Sequence, residues 1–485
     1  MKTPEYKERI DAWVDAHQDQ ILEDLKKLVR IPSVRGVPEE GMPYGRMPAQ
    51  AVQAMQELMQ QYGFGTVNYE NHCVAGDLEG AGTKALDILT HLDVVPVSDD
   101  WTKTAPFEPL IEGDRIYGRG TSDDKGPAVA ALYAMRCIKE LGLPLARGVR
   151  LICGSDEECG SGDLKYYYSR EEEALYSISP DADYPLIHIE KGRLQGEFSA
   201  CGTDEAKAGK PRNVRVVRIE AGDTPNIVPG KGTVILSGVN EAQLKEAVSG
   251  TGTAEGTFSF EADGDHEDRF LVSVKTQSAH AASPQDGVNA VTLILEFLKH
   301  LDLAGLGGEK MLLQAGKLWP HGDHHGRALG VDYKDEESGG LTMSLDILRY
   351  ETSPDQASWS LSGCFDCRAP ICCNDSNLTV RVRERLHEAG LEMKDQPMVP
   401  AHYVSADSEL VVKLLESYEL YFGKKGKPVA IGGGTYVHEL KRGVAFGCAV
   451  PEVDNRMHGD DEFMEIPMLM KSTKILADAI LRLCG

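Results

Sequence analysis

Apolar positions fall along this chain in two textures, and the change between them divides it. Ile10, Val14, His17, Ile21, Leu25 and Leu28 recur at three- and four-residue intervals and predict one amphipathic N-terminal helix. Residues 85–90 form a short, mainly apolar run that reads as a buried strand ending at His91. Residues 124–141 read as a helix, opened by Gly126-Pro127 near its first turn. The next strand, 149–153, ends at Asp156-Glu157-Glu158, and another, 184–189, is stopped by Lys191-Gly192. Strands alternating with helices predict an α/β fold, a mostly parallel sheet covered by helices on both faces.

Past that point the pattern changes. Residues 202–212 are polar and rich in Gly and Lys, a linker or edge loop, and 213–219 is β-branched and strand-like. Val291, Ile294, Leu295 and Leu298 mark a helix after Pro284-Gln285-Asp286-Gly287, and 341–348 and 361–368 read as further strands. This middle region predicts an α+β domain with antiparallel hairpins. Near Pro400 the first texture returns, with a helix over 407–421 and a strand over 443–447. A last helix from Ile466-Pro467 carries Leu469, Thr473, Leu476, Ile480 and Leu483 on one face. The simplest organisation is one domain made of 1–192 and 400–485, split by an inserted domain, 193–399.

Composition narrows the function. Lys plus Arg is 51 and Asp plus Glu is 76, a formal net charge of −25. Such a chain repels polyphosphate, so nucleic acid and anionic membranes are not expected partners. No apolar run approaches the roughly 20 residues that span a bilayer, and residues 1–10 do not read as a secretory signal. The 11 cysteines are odd in number and scattered, which suits reduced cytoplasmic thiols. Cys364 and Cys367 share a predicted strand and face opposite sides, and Cys372 and Cys373 are adjacent, so all four read as small buried residues and not as ligands.

Five polar stretches carry candidate chemistry. His91-Leu92-Asp93-Val94-Val95-Pro96 falls at a strand's carboxyl end, where ligands of open α/β sheets bind. His91 and Asp93 share one face, which suits a metal ligand and its orienting partner, or a plain loop hydrogen bond. In Gly118-Arg119-Gly120-Thr121-Ser122-Asp123-Asp124-Lys125-Gly126-Pro127 the lysine spacing is wrong for a phosphate loop, and the paired carboxylates favour a cation, or merely an acidic helix start. Asp156-Glu157-Glu158-Cys159-Gly160 follows a strand, and adjacent Glu residues can divide metal binding from proton transfer, or form a solvated acidic loop. Asp181, in Pro180-Asp181-Ala182-Asp183-Tyr184-Pro185, and His458, in Met457-His458-Gly459-Asp460-Asp461-Glu462, complete the series.

Together and in this order, the five stretches, with Glu190-Lys191-Gly192 after the fourth, resemble the dinuclear metallopeptidases. That family includes aminoacylases, succinyl-diaminopimelate desuccinylases and bacterial dipeptidases, and the match is nearest its dipeptidase V subgroup. The resemblance implies a zinc-peptidase catalytic domain with two divalent cations about 3.5–4 Å apart. Asp123 would bridge them, with His91 and Asp181 completing one site and Glu158 and His458 the other. Zinc suits these ligands, and manganese or cobalt also would. Asp93 would hold the His91 tautomer. Glu157 would be the general base, acting on a water that bridges the cations.

The insert carries matching pieces. Ser278-Ala279-His280-Ala281, with Pro284, Gly287 and Asn289-Ala290, resembles the family's lid motif, so His280 would stabilise an oxyanion. Asn226-Ile227-Val228-Pro229 implicates Asn226 in substrate binding, and Arg368 stands where a guanidinium would grip a terminal carboxylate. Gly432, Gly433 and Gly434 would bring backbone N–H groups to the same carboxylate. In the subgroup the lid looks doubled, implying two α+β subdomains here and a self-sufficient monomer. Departures from the pattern are Ser98, Cys159, Val437-His438 and Gly459-Asp460-Asp461. His321, His324 and His325 lie outside the motifs and read as solvated.

The expectation is a cytoplasmic metal-dependent dipeptidase acting on short unblocked peptides with a free C-terminus. An N-acyl amino acid deacylase or desuccinylase is the near alternative. A non-catalytic peptide- or amino-acid-binding protein is the alternative from another class.

Overall fold

The computed structural model of the chain describes residues 6–204, 214–254, 257–262, 268–355 and 357–485. The chain forms two compact units, Met1–Glu190 with His402–Gly485, and Lys191–Ala401.

In the first unit the single N-terminal helix expected from periodicity is two helices, Lys7–Ala16 and Gln18–Val29. The break is at His17, whose Nδ1 lies 2.7 Å from the Trp13 carbonyl and whose ring stacks on Trp13. That side chain competes for the carbonyl a continuous helix would use. Ile10, Val14, Ile21, Leu25 and Leu28 are nevertheless all buried, so the apolar stripe continues across the break.

The sheet of this unit has nine strands. Its heart is parallel: Lys84–His91 lies between Gly148–Gly154 and Tyr176–Ser179, and Gly443–Ala445 follows Tyr176–Ser179. Its margins are mixed. Cys73–Leu78 and Gly65–Tyr69 run antiparallel on one side, and Ile187–Glu190 pairs with Val429–Ile431 in parallel and with His402–Tyr403 antiparallel on the other. The margins escaped sequence reading because pairing direction leaves no mark on an apolar run. Coverage of the two faces is unequal. Val149, Leu151 and Cys153 join a large core with helices Lys125–Glu140 and Ile466–Cys484, while Ile152, between them, joins a smaller one with Leu164, Tyr167 and Tyr436. The period-two alternation of a strand separates the two cores.

The second unit is built on one eight-stranded antiparallel sheet in the order Phe258–Ala262, Arg269–Lys275, Lys231–Ser237, Arg215–Ala221, Thr342–Thr352, Ser358–Ala369, Gly192–Thr203, Glu392–Met393. In Gly192–Thr203, Leu194 and Phe198 are buried while Arg193, Glu197 and Ser199 are exposed. Helices Ala290–Lys299 and Gly307–Leu318 contribute Leu293, Phe297 and Leu312 to the core on the inward side. The linker expected at 202–212 begins as strand, since Gly202 and Thr203 still pair with Trp359 and Ser358. Residues 205–212 lie outside the described residues.

Two smaller expectations need correction. Cys364, Cys367 and Cys373 are buried, but Cys372 is exposed in the turn after Pro370, its N–H donating to Asp335 Oδ2 at 3.3 Å. His321, His324 and His325 are half-buried, not solvated. His321 Nδ1 lies 2.9 Å from Thr292 Oγ1, and His325 Nδ1 lies 2.9 Å from the Leu341 carbonyl. Among the described residues no helix is long and apolar enough to cross a membrane.

Candidate metal centre

Three neighbouring parallel strands deliver the first half of the site. His91 ends Lys84–His91, Glu157 and Glu158 follow Gly148–Gly154, and Asp181 follows Tyr176–Ser179. Carboxyl ends of adjacent parallel strands open onto one crevice, so residues distant in sequence become neighbours. Asp123 arrives just before helix Lys125–Glu140. At Gly126 a Cβ would fall 2.1 Å from the Thr121 carbonyl, so only glycine lets that helix start so close to the loop bearing Asp123.

His91 is 1% exposed. Its Nδ1 lies 3.1 Å from the main-chain carbonyl of Asp93 and 3.5 Å from Asp93 Oδ1. When the ring is neutral and its Nδ1 proton is on that carbonyl, Nε2 offers the lone pair. Nε2 faces Asp123 Oδ1 at 2.9 Å and Asp181 Oδ2 at 3.6 Å, yet makes no hydrogen bond. On the other side, His458 Nε2 lies 2.8 Å from Asp123 Oδ2 and 3.3 Å from Glu158 Oε1. Each Asp123 oxygen therefore faces a different histidine. Donor atoms of His91, Asp123 and Glu158 all lie within 4.8 Å of one another.

Besides lying beside His91, the Asp93 carboxylate has two contacts that were not expected. Its Oδ1 accepts the Glu157 N–H at 3.2 Å and its Oδ2 the Glu158 N–H at 3.1 Å. It thus fixes the turn carrying both glutamates.

The site crowds carboxylates together. Burial pushes the Glu157 carboxyl well above the ordinary range, against the pull of His91 and with help from Asp181, Glu158 and Asp93. Burial and Asp123 raise Glu158 to about 7. Burial and Asp123 also raise Asp181, which His91 only partly offsets. Asp123 and Glu158 hold His458 up to about 11. Burial disfavours charge on His91, but Asp123, Asp181 and Asp93 outweigh it and hold the imidazole well above its usual range. Crowded carboxylates that take protons from their surroundings are what cations would relieve. The unbonded, buried His91 Nε2 and the oxygen and imidazole donor set fit a divalent cation pair.

The glycine stretch belongs to the same unit. Tyr436 stands edge-on to the His91 ring, centroids 6.2 Å apart. Buried Glu190 accepts the Thr435 N–H at 3.0 Å and lies 3.2 Å from His438 Nδ1. A Cβ on Gly433 or Gly434 would meet nothing closer than 3.5 Å, so steric crowding there does not demand glycine. Two of the departures meet: Ser98 Oγ donates to Asp460 Oδ1 at 2.6 Å. Asp461 Oδ1 accepts the N–H groups of Thr102 and Lys103 at 2.8 Å each. Cys159 is exposed.

In the second unit the three expected residues also converge. Ile227 pairs with His280 and Val228 with Ala279, and the Ala281 N–H donates to the Asn226 carbonyl at 2.9 Å. Asn226 sits at φ 69°, a left-handed conformation asparagine tolerates, and its N–H donates to Asp346 Oδ2 at 3.0 Å. Arg368 Nε donates to Asp366 Oδ1 at 2.6 Å. Asp346 and Asp366 are fully buried and were not anticipated as site residues. A carboxylate inside Leu345-Asp346-Ile347-Leu348, and the i, i+2 spacing of Asp366 and Arg368, were the available signals.

Burial, with Asp366 adding, raises the Asp346 carboxyl to about 8. A carboxyl that binds its proton more tightly when folded stabilises the fold fully below the unfolded value. That contribution is lost as pH rises toward the folded value. Asp346→Asn is therefore expected to raise the melting temperature by about 2–4 °C near pH 8 and to change little near pH 4, as read by thermal denaturation at both.

A family model described as peptidase family M20/M25/M40 matches residues 88–482. YtjP of Bacillus subtilis (strain 168), which carries a dipeptidase name, is 33% identical over 473 residues, covering 96% of this chain and 97% of that one. The Beta-Ala-Xaa dipeptidase of Lactobacillus delbrueckii subsp. lactis is 33% identical over 474 residues, covering 97% of each. Among solved structures, human carnosine dipeptidase 1 matches with a TM-score of 0.58 at 15% identity, covering 99% of each chain. The dipeptidase Dug1p from Saccharomyces cerevisiae matches with a TM-score of 0.56 at 14% identity, covering 98% of each. These two likenesses speak to the fold. The ordered motifs, the strand-end geometry and the length of the match agree, and the chain belongs to peptidase family M20/M25/M40.

Proposed function

We propose that the chain is a metal-dependent dipeptidase that hydrolyses short unblocked peptides with a free C-terminal carboxylate. The observation that carries this reading is Asp123, whose two oxygens face His91 and His458 separately, as a bridging carboxylate would. His91 and Asp181 would hold one divalent cation, Glu158 and His458 the other, and Asp123 both. Zinc is the first choice, with manganese or cobalt compatible. Bound cations would supply Lewis acidity at the scissile carbonyl and acidify the attacking water.

Glu157 supplies the proton chemistry. Standing outside the proposed ligand set, it would take a proton from water and return it to the leaving amine nitrogen. Asp93 keeps it in place by gripping its N–H. In the second unit, read as a lid, His280 would donate to the oxyanion, and Asn226 and Arg368 would hold the substrate, Arg368 at the terminal carboxylate. Gly432, Gly433 and Gly434 would offer backbone N–H groups to that carboxylate. The dipeptidase names of the relatives, at 33% identity over nearly the whole chain, favour this over a deacylase. The eleven free cysteines favour a reducing compartment, which we take to be the cytoplasm, and we take the chain to act as a monomer.

A panel of dipeptides set against N-acetyl and N-succinyl amino acids tests the substrate class. With zinc, manganese or cobalt supplied, at least about a tenfold higher kcat/KM on dipeptides is expected, a difference of roughly 1.4 kcal/mol in transition-state binding. Preference for the N-acyl substrates would transfer the chain to the deacylase reading. No hydrolysis of either class under any metal would favour a binding protein.

A further inference from the structure

Glu462 lies four residues beyond His458 and is fully buried. Its carboxylate takes no metal-facing position. Instead Oε1 accepts the N–H groups of Gly120, Ser122 and Asp123 at 3.1, 2.8 and 3.2 Å. Its Oε2 accepts from Arg119 Nη1 at 2.6 Å, and its main-chain carbonyl accepts the Gly118 N–H at 2.9 Å. The guanidinium reaches back: Arg119 Nη2 donates to the Gly459 carbonyl at 2.9 Å. Each loop thus grips the other within a residue of its candidate ligand, Asp123 on one side and His458 on the other. The gripped loop is under strain, since His458 and Asp461 hold left-handed φ values of 62° and 58°. Non-glycine residues hold such values where their surroundings over-determine them.

We propose that Glu462, clasped by Arg119, is a positioning residue that sets His458 against Asp123 and so governs the affinity of the second cation. The inference rests on the two-cation reading above. A surface acidic run would satisfy itself in water, but this carboxylate is buried, charge-paired and bonded to three backbone donors, which fixes distances to within a hydrogen bond.

Apo protein titrated with Co²⁺, followed by calorimetry and by the visible cobalt spectrum, tests it without relying on turnover. Wild type is expected to take two ions. Glu462→Ala should keep the first and bind the second about 10–100-fold more weakly, with an altered spectrum, a lower kcat and a nearly unchanged KM. Glu462→Gln keeps an oxygen for the backbone donors and should lie nearer wild type than alanine. Arg119→Lys keeps the charge without the fork, should also weaken the second ion, and decides the matter if Glu462→Ala does not fold. His458→Ala is the reference and should take one ion. Wild-type affinities and spectrum in Glu462→Ala or, where that does not fold, in Arg119→Lys overturn the positioning role, as does a glutamine variant no better than alanine. Two tightly held ions in His458→Ala would instead overturn the two-cation reading.

Discussion

Glu157→Gln is expected to lower kcat by roughly a hundred- to ten-thousand-fold while leaving the bound metal unchanged. The amide is nearly isosteric, so the turn stays in place through the Glu157 and Glu158 N–H groups on Asp93. What is lost is the ability to take a proton. Glu157 is outside the proposed ligand set, so elemental analysis of the purified variant should return the wild-type metal content. KM should change little, because the proposed substrate grips lie at Asn226, Arg368 and the glycine stretch. A variant that turns over at near-normal rate would remove Glu157 as the base. A variant that loses metal would instead reassign it as a ligand.

The second large effect is expected at Asp123. Its two oxygens face His91 and His458, so Asp123→Ala should weaken both cations, by more than about the 100-fold that loss of an outer partner can cost. Hydrolysis should fall to background. His458→Ala removes only one side of the arrangement and provides the contrast. Chelation of the wild-type protein should abolish hydrolysis, and zinc or manganese should restore it. Full binding of both cations by Asp123→Ala, or hydrolysis that survives chelation, would defeat the bridging role.

The candidate cluster was more legible in the sequence than the sheet that builds it. His91, Glu157, Glu158 and Asp181 sit where apolar runs stop, and an apolar run that ends in a polar group at a strand terminus is visible without a structure. His458 could be read only through the ordered resemblance, since nothing local distinguishes it from a loop histidine. The antiparallel margins were hidden because neighbours in a sheet are chosen by tertiary packing. The break at His17 was hidden because a ring bonding its own helix's carbonyl leaves periodicity untouched. Glu462 and Arg119 were passed over for a related reason. Apart from their bond to each other, they bond backbone groups, and backbone groups carry no sequence signature. Asp93 shows the same limit: its nearness to His91 could be read from the i, i+2 spacing, but its grip on two main-chain donors could not.

The placement of the Gly443–Ala445 strand has a consequence for biosynthesis. It pairs in parallel with Tyr176–Ser179, and its last residue, Ala445, also pairs with Ile187. Everything from Lys191 to Ala401 must therefore be translated before that pairing can form. A ribosome-bound chain that has made only its first half carries His91 and Asp181 but has neither His458 to oppose them nor the Gly443–Ala445 strand that extends their sheet. The candidate metal centre is therefore complete only after the returning segment, with His458, has been made and has docked.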